Sequence, residues 1–497
     1  MNAWRLALLF LAFGAPLAAQ GYRVRLDTRL QAVAFRGVQL DSIPVSDTVT
    51  GPGGGPATPG GYAVHCAAGD AHCTYFRAGP ARRGVPLVTT ADVSAWGFGL
   101  RGVSAHAAAR LGLDLGDADA WPGTNPAIQL LTGYVEYAAE RVTARAGRQL
   151  AFSRLGTMGF DGAAVTVRVP RRGLDAVGYA GWALARGVAL PVTSPALNPL
   201  DDFQPRQRQL VAGLEAGWVG ARADVRAVYQ REVDPRSDYF VSERVGVSAA
   251  VRPAPGWSVS GGADYDAAAG WWGSADLSLG YATRMVTATI GARRYRPHFD
   301  LWTIWGAFSP IPYRAVQGDV TVRAARQVQL HARGERYRFD EADVATPLVT
   351  VERDGWRGEV GVTALPASGW TVDGGYRREF GPGAASRGVG GSVTYSPARD
   401  YRVTLHGSTL DRPLEFRYDE SVLRIYGLDA DADVNERLRV SLGASRYVED
   451  RRRPDAAAFD WSQWRVSARA VLLFGRGGDL GGLPPAVRRM PGGRTER

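Results

Sequence analysis

The segment 22–34 alternates apolar and polar side chains almost without error. Successive side chains of a β-strand point to opposite faces, so the pattern predicts a strand with one apolar face and one charged face. In a soluble sandwich the charged face would meet bulk water. In a transmembrane barrel it would line a lumen, and the apolar face would meet lipid. The polar positions are Arg23, Arg25, Asp27, Arg29 and Gln31.

The first twenty residues have the pattern of a secretory signal peptide. One charge, Arg5, precedes an apolar run from Leu6 to Phe13, and small residues follow up to Ala19. The run is too short for a membrane-spanning helix, so we expect residues 1–20 to be removed on export; a retained N-terminal anchor is the alternative. The chain has a net charge of +10, but an exported protein rarely meets nucleic acid, and we expect no such partner.

Alternating segments continue towards the C-terminus and are joined by links of two kinds. Short links, such as 140–141 and 326–327, alternate with longer polar or aromatic links. Tight periplasmic turns that alternate with longer outer loops are typical of outer-membrane barrels. The sequence therefore predicts outer loops at 37–84, 116–125, 153–162, 185–205, 231–240, 297–313, 340–350 and 450–460.

The last alternating segment, 464–474, has apolar side chains on one face and Arg465, Ser467 and Arg469 on the other. It resembles the closing strand of bacterial outer-membrane β-barrels, which commonly ends in an aromatic residue, here Phe474. A basic tail that is rich in Gly and Pro follows, whereas the family usually ends at the aromatic residue. The resemblance implies an all-β fold: a single large antiparallel up-and-down transmembrane β-barrel with short periplasmic turns and long extracellular loops. The alternating segments give about 22 strands, within a range of about 20–24.

These patterns divide the chain into a signal peptide (1–20), a barrel (21–474) and a flexible basic periplasmic tail (475–497). The long first outer loop, 37–85, contains the two cysteines of the chain, Cys66 and Cys73. In an oxidising compartment this spacing predicts a disulfide that closes a hairpin. The alternative is a metal held with the adjacent His65 and His72. We expect no metal and no cofactor, since neither cysteine belongs to a haem-attachment motif.

Barrel closure would place the first strand beside the last. Arg23, Arg25 and Arg29 would then share one lumen wall with Arg465 and Arg469. Like charges on adjacent strands repel unless water or counter-charges intervene. One interpretation is a cationic stripe that favours anions, as charged rings do in pores. The other is a solvated face balanced by Asp27 and by carboxylates on other strands.

The outer link 297–313 is unusually aromatic for a loop that is expected to face water. One interpretation is an aromatic ledge that folds into the pore or grips a ligand or partner. The other is a loop that packs on its neighbours or dips into the outer leaflet. Its aromatic residues are Phe299, Trp302, Trp305, Phe308 and Tyr313.

The sequence contains no Gly-x-Ser-x-Gly motif and no local nucleophile–histidine cluster, so we expect no enzyme. Large barrels that carry a plug place a globular domain before the first strand, as in the TonB-dependent family. Here the first strand follows the signal directly, so the resemblance to that family is limited to strand number and we expect no N-terminal plug.

We predict a porin-like channel for small polar or anionic solutes in a Gram-negative outer membrane. One alternative is a sheath around a separate periplasmic partner such as a multihaem cytochrome. Another is a barrel for export or surface assembly. The expected partners are outer-membrane lipid and small solutes, with a periplasmic or surface protein under the alternatives.

Overall fold

Antiparallel strands make up nearly all of the chain that the structure describes. The structure is a computed structural model, and it describes residues 20–51, 54–116, 128–184, 209–233, 235, 240–296, 312–340, 353–381, 384–398, 400–411, 421–451 and 461–477. No helix in these ranges is long and apolar enough to cross a membrane.

The strands are numbered in chain order. They are β1 (Gly21–Pro44), β2 (Val49–Thr50), β3 (Pro56–Ala57), β4 (His72–Gly84), β5 (Pro86–Trp96), β6 (Val103–Asp114), β7 (Ile128–Ala138), β8 (Val142–Ser153), β9 (Gly156–Val169), β10 (Leu174–Leu184), β11 (Leu210–Val219), β12 (Ala223–Val233), β13 (Phe240–Val251), β14 (Trp257–Asp266), β15 (Trp271–Ala282), β16 (Val286–Tyr295), β17 (Tyr313–Ala325), β18 (Val328–Phe339), β19 (Asp354–Ala364), β20 (Trp370–Gly381), β21 (Ala384–Tyr395), β22 (Tyr401–Asp411), β23 (Ser421–Asn435), β24 (Leu438–Arg451) and β25 (Trp461–Arg476). Two short 3-10 turns, Val45–Asp47 and Pro170–Arg172, lie between strands.

The sheet closes because β1 pairs with β25, from Tyr22 opposite Arg476 to Val33 opposite Arg465. On its other side β1 pairs with β5 along its first half and with β4 along its second half, so β4 and β5 together form one long strand. The two-residue strands β2 and β3 form a separate small sheet. The wall is therefore a closed antiparallel barrel of 22 strands, which confirms the predicted fold class.

Cross-strand pairing keeps one side-chain parity outward and the other inward around the whole wall. The outward face is apolar, and Leu277, Leu405 and Leu442 are 61%, 60% and 56% exposed. So large an exposed apolar surface is unusual for a soluble monomer and is the surface that lipid covers in a transmembrane barrel.

Aromatic side chains lie at both ends of this apolar band. On β20, Trp370 marks the turn end and Phe380 the outer end; on β25, Phe474 and Trp464 do the same. Ten residues of strand rise about 33 Å, or about 25 Å along the membrane normal at a tilt of about 40°, which matches the apolar band of membrane barrels. Other exposed aromatic residues are Tyr137, Trp218, Trp257, Tyr281, Tyr395 and Tyr401 at the turn end, and Trp182, Trp272, Trp356 and Tyr426 towards the outer end.

Two segments predicted as outer loops contain more strand than the sequence indicated. The prediction of a loop over 153–162 was wrong: β8 and β9 are joined by the two-residue turn 154–155, and 156–162 belongs to β9. In the 37–85 segment β1 continues to Pro44 and β4 begins at His72, so the connection is 45–71. Beyond Val33, β1 pairs with β4 and has left β25, so the two strands form a hairpin above the wall. The predicted disulfide joins Cys66 and Cys73 in this hairpin.

Candidate functional site

The inward face of the barrel carries arginines and carboxylates side by side. Opposite charges on neighbouring strands attract, but exposed pairs contribute only about 0–1 kcal/mol each, so they shape the field in the lumen more than they hold the wall together. The pairs on this face include Arg145–Glu136, Arg226–Asp175, Arg293–Glu335, Arg357–Glu335, Arg402–Asp431, Arg439–Asp433 and Arg469–Asp27.

Asp27 is surrounded by three arginines at the seam where β1 meets β25. Its Oδ1 accepts hydrogen bonds from Nε of Arg29 (3.3 Å) and Nε of Arg469 (2.8 Å), and Arg469 also pairs with Oδ2. Nη2 of Arg25 lies 3.9 Å from Oδ2. The structure thus brings three of the five arginines predicted for the lumen stripe around one carboxylate.

The other two arginines of the predicted stripe lie apart from this cluster. Arg23 shares the inward parity of β1 and lies opposite Gly475, nearer the turn end. Arg465 is at the outer part of the seam, where its guanidinium lies 4.2 Å from the Tyr447 ring centroid and donates to Gln463 Oε1 (2.7 Å). Phe474 faces outward on β25 opposite Val24, in the turn-end aromatic band.

Carboxylates from neighbouring strands continue the network beyond the seam. Asp431 on β23 accepts from Ser441 Oγ (2.6 Å) and from Arg402 Nε (3.1 Å). Asp433 accepts from Arg439 Nε (2.6 Å). These carboxylates pair with arginines of their own part of the wall, whereas Asp27 contacts Arg25, Arg29 and Arg469 at the seam.

The tip of the β8–β9 hairpin leaves the wall and crosses into the lumen. The ladder between β7 and β8 ends at Gly133 opposite Arg148, although β7 begins at Ile128 and β8 runs on to Ser153. Arg148 marks the separation point: its Nη1 donates to the Leu130 carbonyl (3.0 Å), and its Nε and Nη2 hold Asp161 at 2.7 and 2.8 Å. The outer half of β8 is thus detached from β7 while β9 stays paired with β10.

Three glycines in one cross-strand row allow this sharp bend. Gly147, Gly162 and Gly181 face one another on β8, β9 and β10. Gly147 has φ +127°, which favours glycine, and a Cβ on Gly162 would collide with the Ala180 carbonyl oxygen. The three strands therefore approach more closely here than any side chain would permit.

The hairpin tip contacts the inward faces of β13–β15. Arg154 Nη2 lies 2.6 Å from Asp276 Oδ1 on β15. The Leu155 carbonyl accepts a hydrogen bond from Arg244 Nη1 (3.0 Å) on β13. Gly246 leaves room for the Leu155 side chain, since a Cβ there would lie 3.0 Å from Leu155 Cδ2.

A small apolar core fills the space beneath the hairpin. Met158 and Phe160 of β9 are 2% and 1% exposed, and they pack with Tyr179, Ala183 and Val211 of the next two strands. The Phe160 and Tyr179 rings stack with centroids 5.1 Å apart. All five side chains point inward, so this sector of the lumen is filled with side chains.

Most of the predicted aromatic ledge lies outside the described residues, namely Phe299, Trp302, Trp305 and Phe308. Residues 1–19 of the predicted signal peptide and residues 478–497 of the predicted tail also lie outside them. Tyr313 begins β17 and contacts Tyr295, Tyr337 and Phe339, with ring centroids 5.6, 6.3 and 5.5 Å away. It thus belongs to an aromatic cluster near the outer end of the lumen.

The closed wall, its lipid-facing apolar band and its aromatic ends decide the type of molecule. The protein is a 22-stranded β-barrel of the outer-membrane type. Among solved structures, the barrel is similar to the ferric enterobactin receptor of Pseudomonas aeruginosa, with a TM-score of 0.50, 11% identity, and coverage of 90% of this chain and 80% of that chain.

A BenF-like porin from Pseudomonas fluorescens also matches, with a TM-score of 0.37, 9% identity, and coverage of 91% of this chain and 99% of that chain. No family model and no curated protein matches the sequence. At these identities the likeness concerns the fold alone, which is a large antiparallel β-barrel.

Two features of the lumen were missed by sequence reasoning. The inward hairpin had a signal, because Met158 and Phe160 are large apolar residues at an inward parity and Gly147, Gly162 and Gly181 interrupt three successive strands. The second feature is a group of arginines and glutamates on β18–β20. It follows from the register of three strands, which the sequence does not display.

Proposed function

We propose that the barrel is a porin-like channel for small polar solutes, with a modest preference for anions. The observation that carries the proposal is the charged, solvent-exposed inward face. At the seam, for example, the Arg29 side chain is 63% exposed. Such a wall offers hydration and hydrogen bonds to polar solutes along its length.

The anion preference is attributed to the seam. Arg25, Arg29 and Arg469 contribute three positive charges around Asp27, and Asp92 on β5 lies opposite Arg25, so the positive charges exceed the carboxylates by one. The carboxylates of other strands reduce the field away from the seam. Salt screens exposed charges beyond about 8 Å at physiological ionic strength, so the preference depends on ions that pass close to β1 and β25.

The first test is ion conductance of the purified, folded protein in planar bilayers. We expect open-channel currents and a reversal potential in a KCl gradient that shows anion selectivity. Folded barrels that conduct no ions would contradict the channel and would favour the sheath or export alternatives.

The second test reverses charges at the seam. Arg25→Glu combined with Arg465→Glu should shift the reversal potential towards cations, and Asp27→Asn should shift it towards anions. Arg284→Glu, in the exposed turn between β15 and β16, reverses one arginine charge outside the lumen and serves as the control. Equal selectivity in all four proteins would remove the seam from the mechanism.

A further inference from the structure

Two parallel rows of charge cross the inward face of β18, β19 and β20. The first row is Arg333, Glu359 and Arg377, which lie opposite one another on the three strands. The second row, one step nearer the outer end, is Glu335, Arg357 and Glu379. Each charge therefore faces the opposite sign across the strands and along its own strand.

The second row is neutralised within the wall. Glu335 is only 1% exposed, and its two carboxylate oxygens accept from Arg293 Nη2 at 2.9 and 3.1 Å and from Arg357 Nη2 at 3.0 and 3.1 Å. Tyr337 lies beside this pair, with its ring 5.9 Å from the Arg357 guanidinium and its hydroxyl 3.5 Å from Glu379 Oε1. These contacts hold the second row in place as a support.

The first row is open to the lumen. Within the described part of the chain, Arg333 and Arg377 form no hydrogen bond and no ion pair, and both are exposed. Glu359 is 55% exposed and has His331 Nε2 as a distant partner at 3.9 Å. Two guanidinium groups and one carboxylate are thus presented to solvent, and Asp319 of β17 lies opposite Arg333 at the end of the row.

A recess of about 500 Å³ lies over both rows, and all of their charged residues belong to its lining. Its lining includes Arg333, Glu359, Arg377, Glu379, Ser386 and Leu410. Guanidinium groups bind carboxylates through two parallel hydrogen bonds, and a carboxylate accepts from an ammonium group. Adjacent strands are about 4.8 Å apart, so one small molecule can reach an arginine and Glu359 together.

We propose that this recess is a solute-binding site that selects molecules carrying an ammonium group beside a carboxylate. This binding site rests on the proposed channel function, and it adds a class of organic solute that the recess binds to the preference for simple anions that is attributed to the seam. A simple anion meets Glu359 between the two arginines and is repelled there. A neutral solute leaves all three charges unmatched, whereas a zwitterion satisfies Glu359 and one arginine at once.

The test uses three solutes of nearly equal size, which are alanine (zwitterion), lactate (anion) and lactamide (neutral). Uptake into liposomes that contain the full-length barrel is measured for each. We expect alanine to enter faster than lactamide by about two- to fivefold, the size of effect that one exposed ion pair supports. The alanine rate should also saturate with concentration.

Glu359→Gln should bring the alanine rate close to the lactamide rate, and Arg333→Gln combined with Arg377→Gln should do the same. Glu436→Gln, in the exposed turn between β23 and β24, removes a carboxylate away from the recess and should leave the ratio unchanged. Lactamide uptake must persist in every variant, which shows that the channel is folded and open.

An alanine-to-lactamide uptake ratio near one in the unaltered protein would overturn the proposed binding site while leaving the proposed channel intact. Lactate entering faster than alanine, and faster still in Glu359→Gln, would identify an anion site instead and would also overturn it. Absence of lactamide uptake from folded barrels would overturn the channel itself.

Discussion

The outer halves of β8–β10 and the inward face of β18–β20 differ in whether their inward-pointing side chains are covered. In the first region a hairpin folds back over the wall, and Phe160, Met158 and Tyr179 are buried beneath it. In the second region Arg333, Glu359 and Arg377 stand exposed beside a recess. In both regions successive side chains point alternately to the lumen and to lipid. This alternation assigns side chains to the inward face without deciding whether that face is packed or exposed to water.

The difference comes from the residues at the inward positions. Large apolar side chains inside a water-filled lumen gain free energy when another element covers them, at about 25 cal/mol per Å² of apolar surface removed from water. Glycines at the bend allow that cover to form. Arginine and glutamate gain nothing from being covered unless each finds a partner, so they favour an open wall.

The largest expected effect comes from blocking the bend. Gly162→Val would place a side chain against the Ala180 carbonyl oxygen of β10. Overpacking of ordinary cores costs about 1–3 kcal/mol, and a collision with backbone should exceed this range. We expect the yield of folded barrel to fall sharply, measured by heat-modifiable migration after refolding into vesicles.

The control for the bend is Gly178→Val on the neighbouring strand β10. A Cβ at Gly178 has no atom within 4 Å, and valine suits a lipid-facing strand position. Equal folding yields for the two variants would show that the glycine row is not needed for the bend.

The next effect tests the core beneath the hairpin. Phe160→Ala should lower the free energy of unfolding by about 3–5 kcal/mol, because a buried aromatic ring is replaced by a cavity. Phe152, on β8 of the same hairpin, is 70% exposed, so Phe152→Ala should change it by less than about 0.5 kcal/mol. Denaturant unfolding in vesicles measures both. Similar losses would mean that the core is not the element that holds the hairpin down.

The smallest effect concerns the tip of the hairpin. Arg154→Glu replaces the ion pair with Asp276 by a repulsion, and such a partly exposed pair is worth only about 0.2–1 kcal/mol. We expect more frequent transitions to a higher conductance level in single-channel recordings as the tip releases.

Combining Arg154→Glu with Asp276→Arg restores opposite charges at the same two positions and should return the recordings to those of the unaltered protein. If recordings of Arg154→Glu alone were identical to those of the unaltered protein, the Arg244 hydrogen bond and the packing of Leu155 would suffice to hold the tip.

The sequence predicts the barrel fold and which face of each strand points to the lumen. Alternation in segments such as 22–34 and 464–474, with short and long links between them, predicted a closed wall of about the observed strand number. It also predicted that Arg29 and Arg469 share one wall, because closure makes the first and last strands neighbours. The pattern over 153–162 predicts a loop, because large apolar residues such as Met158 and Phe160 at inward positions do not fit a strand whose inward face is polar; that prediction was wrong.

The sequence by itself determined which side chains face lipid and which face the lumen, because that choice depends on local backbone geometry with a period of two residues. Only the tertiary structure decided which charges meet. A shift of one residue at any link changes the register of a strand against its neighbour. The rows on β18–β20 and the contact of Arg154 with Asp276 depend on several such registers together. The bend of the β8–β9 hairpin likewise required strands close enough that only glycine fits between them.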